Sequence, residues 1–238
     1  MRRLKASSSY LKNQTIKNLA KAALSILIFG FILFVLAYRV LSTWQVGLFE
    51  EVALVISLVP LVAFYYYLRK YRIYSGGWHG EKQVIKLLNS KLNDDYYLIN
   101  DLYLGNGGGD IDHVVLGSNG VFVLETKNWS GNITCNGDAW QRDGKRNFSS
   151  SPSRQLKRNI VRIKEVINSS PSLRPLNIWV EGIVVFTNKH SKLQINNPTV
   201  PILKLPQLPN YISTHESSNR YSRQQLEAIG KEIIKAKH

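Results

Sequence analysis

The chain of 238 residues reads as an α/β domain preceded by a hairpin of two long apolar helices. Three observations lead there. Residues 22–41 and 48–68 are nearly continuous apolar runs. Downstream, segments with helical apolar spacing alternate with short, continuously apolar stretches of strand type. Two of those stretches flank Ser118-Asn119-Gly120, a tight-turn sequence that predicts a β-hairpin.

The first apolar run carries no charge from Ala22 to Tyr38, and Arg39 ends it. A helix rises 1.5 Å per residue, so roughly 20 apolar residues cross the ~30 Å hydrocarbon layer of a bilayer. Arg39 lies close enough to the end for its stem to carry the charge to the interface. The second run extends from Leu48 to Leu68, with Glu50 and Glu51 near its start and a charge-free section from Val52. Pro60 lies mid-span, where membrane helices tolerate proline. Tyr65, Tyr66 and Tyr67 crowd one end, as interfacial aromatic anchors do. A cleaved signal peptide fits less well, because the first run is too long and no small-residue cleavage site follows.

Basic residues flank both runs on one side: Arg2, Arg3, Lys5, Lys12, Lys17 and Lys21 before the first, Arg69, Lys70 and Arg72 after the second. The positive-inside rule then predicts a multi-pass membrane protein with both termini in the cytoplasm and the lipid bilayer as a partner. The predicted partition is a basic N-terminal segment 1–21, spans 22–41 and 52–68, a short external loop 42–51 and a basic linker 69–77. Tyr10 to Ala20 reads equally as an interfacial helix or a disordered basic tail.

The formal net charge is +15, of which residues 1–74 hold +8 and residues 75–238 hold +7. The second excess points to an anionic partner, with nucleic acid the commonest large one and simple solubility the plain alternative. Cys135 is the one cysteine, so neither an intramolecular disulfide nor a cysteine-based zinc site can form within the chain.

Ser75-Gly76-Gly77 predicts a hinge. A helix is expected from Gly80 to Leu92, with Ile85, Leu88 and Leu92 on its apolar face and Glu81 in its first turn. A strand is expected to begin at Tyr96, and Gly105 to Gly109 form a connector that lacks the Gly-Lys-Ser/Thr of a phosphate loop. Asp110 to Gly117 and Val121 to Lys127 are the two strands of the hairpin. Glu125 and Lys127 share a face, because side chains alternate along a strand. A two-residue loop sets Asp112 opposite Glu125 or Lys127, whereas a three-residue loop turns it away. His113 alternates away from Asp112 and reads as packing or surface. Trp129 and Trp140 offer stacking surfaces for bases, with core packing as the plainer role.

The next helix is expected from Pro152 to about Asn168, with Leu156, Ile160, Ile163 and Ile167 facing inward and Gln155 near its start. Arg154, Arg158 and Arg162 recur on another face and suit a phosphate backbone, or else a solvated helix surface. A buried strand Ile178–Phe186, a short strand within Thr199–Leu205, a short helix Pro206–Ile212 and a terminal helix Ser222–Lys237 complete the reading.

These residues resemble a known family. Gly80-Glu81 opening a helix, Ile111-Asp112-His113, Gly120 through Glu125-Thr126-Lys127-Asn128, Gly131, Trp140, Gln155 and the strand from Gly182 together resemble the nuclease-related domain, NERD. That family is similar to the PD-(D/E)-x-K nucleases. The resemblance covers roughly 78–190, with 212 as its outer bound, so 78–212 is the expected domain and 213–238 a C-terminal loop and helix. It implies a restriction-endonuclease-like mixed central sheet flanked by helices. It also implies an active site of Asp112, Glu125 and Lys127, with Glu81 and Gln155 as accessory positions. Ile111 stands where the superfamily name has proline.

Asp112, Glu125 and Glu81 would supply oxygen ligands to Mg²⁺, or Mn²⁺, and Lys127 would orient a water and offset phosphate charge. The expected function is a membrane-anchored, cytoplasm-facing, metal-dependent endonuclease, acting on DNA in preference to RNA, in a bacterial inner membrane. The alternatives are a non-cleaving nucleic-acid-binding module and a membrane scaffold that reuses the fold.

Overall fold

A computed structural model describes residues 1–5, 10–105, 110–144 and 151–236. The chain divides into two compact units, one of residues 9–78 and one of residues 1–8 and 79–238.

The first unit is a helical hairpin. Helix α1 spans Tyr10–Thr43, and helix α2 begins at Leu48 and runs to Lys91. Both are long and apolar enough to cross a membrane. Their apolar side chains point outward: Leu27, Phe34, Val59 and Val62 are each 68–69% exposed. A face of this kind is unfavourable in water and suits lipid. The hairpin is antiparallel, because Lys21 lies over the Tyr67 ring at one end and Arg39 pairs with Glu50 (3.1 Å) at the other. Arg39 therefore has a carboxylate partner at its end of the hairpin. Ser75-Gly76-Gly77, expected as a hinge, are helical, and the unit boundary falls just after them.

The second unit is a mixed α/β domain. Its main sheet has six strands in the order β1-β2-β3-β4-β7-β9. These are β1 (Arg2–Lys5), β2 (Tyr97–Tyr103), β3 (Asp110–Gly117), β4 (Gly120–Lys127), β7 (Val180–Phe186) and β9 (Ile202–Lys204). Strands β2, β3 and β4 are antiparallel neighbours, whereas β1 joins β2, β7 joins β4 and β9 joins β7 in parallel. A second, three-stranded sheet is made of β5 (Gly131–Asn136), β6 (Ala139–Arg142) and β8 (Ser191–Asn196). Three further helices follow: α3 (Pro152–Ser169), α4 (Leu208–Thr214) and α5 (Arg223–Lys235).

Alternation along β4 sorts the core into two layers. Val121 and Val123 face one layer with Leu156 and Ile163 of α3 and Ile229 and Ile233 of α5. Phe122 and Leu124 face the other, with Val84 and Leu88 of α2 and Leu208 and Ile212 of α4. The mixed sheet flanked by helices thus follows from strands that are apolar on both faces. Of the Gly105–Gly109 connector, residues 106–109 lie outside the described residues, as does Lys237 at the end of the expected terminal helix.

Gly182 of β7 sets how closely α3 can approach the sheet. A Cβ there would collide with Ile160 and come within 3.0 Å of Leu156. Gly182→Ala is therefore expected to destabilise the domain by about 1–3 kcal/mol through overpacking, read as a lower urea midpoint.

Candidate active site

The site lies where the β3–β4 hairpin stops pairing. Gly117 pairs with Gly120 across a two-residue turn, and the ladder ends at His113 opposite Leu124. One further step in that register sets Asp112 opposite Glu125. There a side chain closes the gap: Asp112 Oδ2 accepts the Thr126 N–H at 2.6 Å.

Glu125 points into the layer beneath α3 and is 1% exposed. Its Oε1 accepts a hydrogen bond from Lys127 Nζ at 2.5 Å, and its Oε2 is buried without a hydrogen-bond partner. A buried carboxylate oxygen left unsatisfied is costly, and sites that store such a cost are often functional.

Glu81 reaches the site from α2, and the preceding glycine allows it. A Cβ on Gly80 would lie 2.9 Å from Thr187 Oγ1 and 3.1 Å from Asn128 Cβ, so α2 rests directly on the ends of β4 and β7. Asp101 stands in β2 between Asn100, paired with His113, and Leu102, paired with Ile111, which sets it opposite Asp112. Its backbone is left-handed (φ 49°), a conformation that aspartate tolerates better than most residues. No pattern in the sequence marks Asp101.

The electrostatics reflect this crowding. Burial, followed by the charges of Asp112, Asp101, Asp110 and Glu125, pushes Glu81 up to about 9. Burial and the Glu125 charge raise Asp112 well above the carboxylate range, against the pull of Lys127 and the Thr126 N–H. Burial also raises Glu125, opposed by Lys127 and then by Arg158. For Lys127 burial acts downward, but Glu125 and Asp112 outweigh it and hold the ammonium above its usual value.

Glu81 is thus protonated at neutral pH in the metal-free protein. A folded-state value above the unfolded one stabilises fully below about 4.5 and is lost as pH rises through about 9. Glu81→Gln is expected to flatten the fall in stability across that window, measured by urea unfolding in EDTA.

The structure brings Glu81 within electrostatic reach of Asp112 and Glu125, Asp112 within reach of Glu125 and Lys127, and Glu125 within reach of Lys127 and Arg158. Gln155 is half-buried in the first turn of α3, with no side-chain hydrogen bond to these groups among the described residues. Arg154 and Arg158 are exposed, whereas Arg162 is half-buried and donates to the Gly105 carbonyl at 2.7 Å. Among the described residues no group of three or more His, Cys, Asp or Glu side chains is placed to hold a metal. His113 is buried against Asn100 (2.8 Å) and pushed down to about 3, so it stays neutral. Trp140 is a core residue, donating to Ser153 Oγ at 2.8 Å and stacking on Phe186.

Residues 76–187 match the nuclease-related domain, NERD. All five candidate site residues lie inside the NERD segment, whereas β1, α1 and most of α2 lie outside it. An uncharacterized protein of Bacillus anthracis is 34% identical over 84 residues, which are 34% of this chain and 38% of that protein. The chain thus matches well under half of that relative's length. No solved structure matches the chain.

Proposed function

We propose that the NERD domain hydrolyses phosphodiester bonds of nucleic acid, DNA in preference to RNA, at the open end of the β3–β4 hairpin. One observation carries this reading. Two crowded carboxylates and an ammonium converge there, and the buried Glu125 keeps one oxygen unpartnered. That oxygen and Asp112 would hold Mg²⁺ or Mn²⁺, hard cations that take oxygen ligands, with Glu81, once deprotonated, joining directly or through a water. When bound, the cation would polarise a phosphate oxygen and lower the pKa of a water. Lys127 would orient the attacking water and offset charge building on the phosphate, while Asp112 stays fixed through the Thr126 N–H. Arg154 and Arg158 offer exposed cations to the flanking phosphates.

The same domain is read as held at a membrane by α1 and α2. The basic flanks support a cytoplasmic side for it, and the resemblance to NERD supports a bacterial inner membrane. Strand β1 precedes α1 and β2 follows α2, yet the two pair in one sheet. The chain segments before and after the hairpin thus belong to one sheet, which is in keeping with both termini in the cytoplasm.

A second reading, nucleic-acid binding without cleavage, draws on the protonated Glu81 and on the absence of a ready three-ligand cluster among the described residues. The full chain in detergent micelles, incubated with plasmid, linear and single-stranded DNA and with RNA, in Mg²⁺, Mn²⁺ or EDTA, separates the two. Metal-dependent cleavage of DNA supports the first reading. Salt-sensitive binding without cleavage supports the second.

A further inference from the structure

We propose that Trp129 is a positioning residue for Lys127, its indole face holding the ammonium against Glu125. The inference rests on the hydrolytic reading above. Lys127 Nζ lies 5.6 Å from the centre of the Trp129 ring and 2.5 Å from Glu125 Oε1. A cation within about 6 Å of an indole face is attracted to it. Lysine carries a point charge on a flexible four-carbon stem, so one carboxylate contact alone leaves that stem free to rotate. The π face supplies a second contact that narrows the choice.

Trp129 is itself held by a chain of contacts. Its ring meets Phe186 edge to face, with centres 6.0 Å apart. Phe186 stacks on Trp140 at 5.8 Å, and Trp140 is hydrogen-bonded to Ser153 at the start of α3. Phe186 is also the β7 residue opposite Lys127 in the parallel ladder. The strand that positions the backbone of Lys127 therefore also seats the ring that positions its side chain. The indole is only partly buried, and the ammonium lies over its face.

The test uses the full chain in detergent micelles, as wild type, Trp129→Leu and Trp129→Phe. Two readouts are taken: the acetylation rate of Lys127 by acetic anhydride, resolved by mass spectrometry, and single-turnover cleavage of DNA in Mg²⁺. Trp129→Leu should acetylate about tenfold faster and cleave about tenfold slower at saturating substrate, with KM unchanged. Trp129→Phe, which keeps a π face, should stay within about threefold of wild type in both. Unchanged acetylation in Trp129→Leu overturns the proposal, and so does a Phe variant as impaired as the Leu variant. If the wild type cleaves nothing, the hydrolytic reading fails, and the acetylation rates still decide whether Trp129 holds Lys127.

Discussion

Replacing Asp112 by asparagine is expected to abolish cleavage, by at least about 100-fold, while making the metal-free fold more stable at neutral pH. The two effects share a cause. Burial and the Glu125 charge raise the Asp112 carboxyl well above its unfolded value of 3.8. A group raised in this way stabilises fully below the unfolded value and loses that contribution as pH rises through the folded value. At neutral pH in EDTA this upward shift therefore works against folding. Asparagine removes the charge and keeps an oxygen for the Thr126 N–H. A residue kept for packing would show the opposite pattern, since its loss lowers stability. Urea unfolding in EDTA and cleavage in Mg²⁺ read the two effects separately.

Deleting residues 1–8 is expected to destabilise the domain by about 2–4 kcal/mol, although these residues lie far outside the NERD segment. Strand β1 continues the sheet beyond β2, and Leu4 packs into the core layer shared with α5. Gly230 of α5 leaves room for that contact, since a Cβ there would collide with Leu4. Without β1, the edge of β2 would present unpaired backbone groups to solvent and to other chains. The expected observations are a lower urea midpoint and greater aggregation than in the full chain. A truncation beginning near residue 75 would share the defect, so activity assays need the N-terminal strand.

The hairpin end was legible from residues alone because three local signals agree there. Ser118-Asn119-Gly120 signals the turn, the run Val121 to Leu124 signals a strand buried on both faces, and charge returns only at Glu125 and Lys127. The structure adds the register, a two-residue loop with Gly117 opposite Gly120. Strand β1 was not legible, because Arg-Arg-Leu-Lys carries no strand pattern. The open edge of β2 makes it one. Strands β5, β6 and β8 are short and polar at many positions, and they form by pairing with one another. The Ser75-Gly76-Gly77 hinge failed because α2 continues through those residues despite their weak helix propensity. Arg162 fits the basic stripe by spacing, and only the fold shows that the Gly105 carbonyl engages it. Asp101 joins the carboxylates through a backbone conformation that spacing does not reveal.

The central claim is that Asp112, Glu125 and Lys127 form a hydrolytic site. Its most direct test is nicking of supercoiled plasmid by the full chain in detergent, in Mg²⁺ and in EDTA, with Asp112→Asn alongside. Nicking that requires Mg²⁺ and falls at least about 100-fold in the variant is the expected result. Nicking that survives in Asp112→Asn, or a wild type that binds plasmid and never cuts it in Mg²⁺ or Mn²⁺, would contradict it.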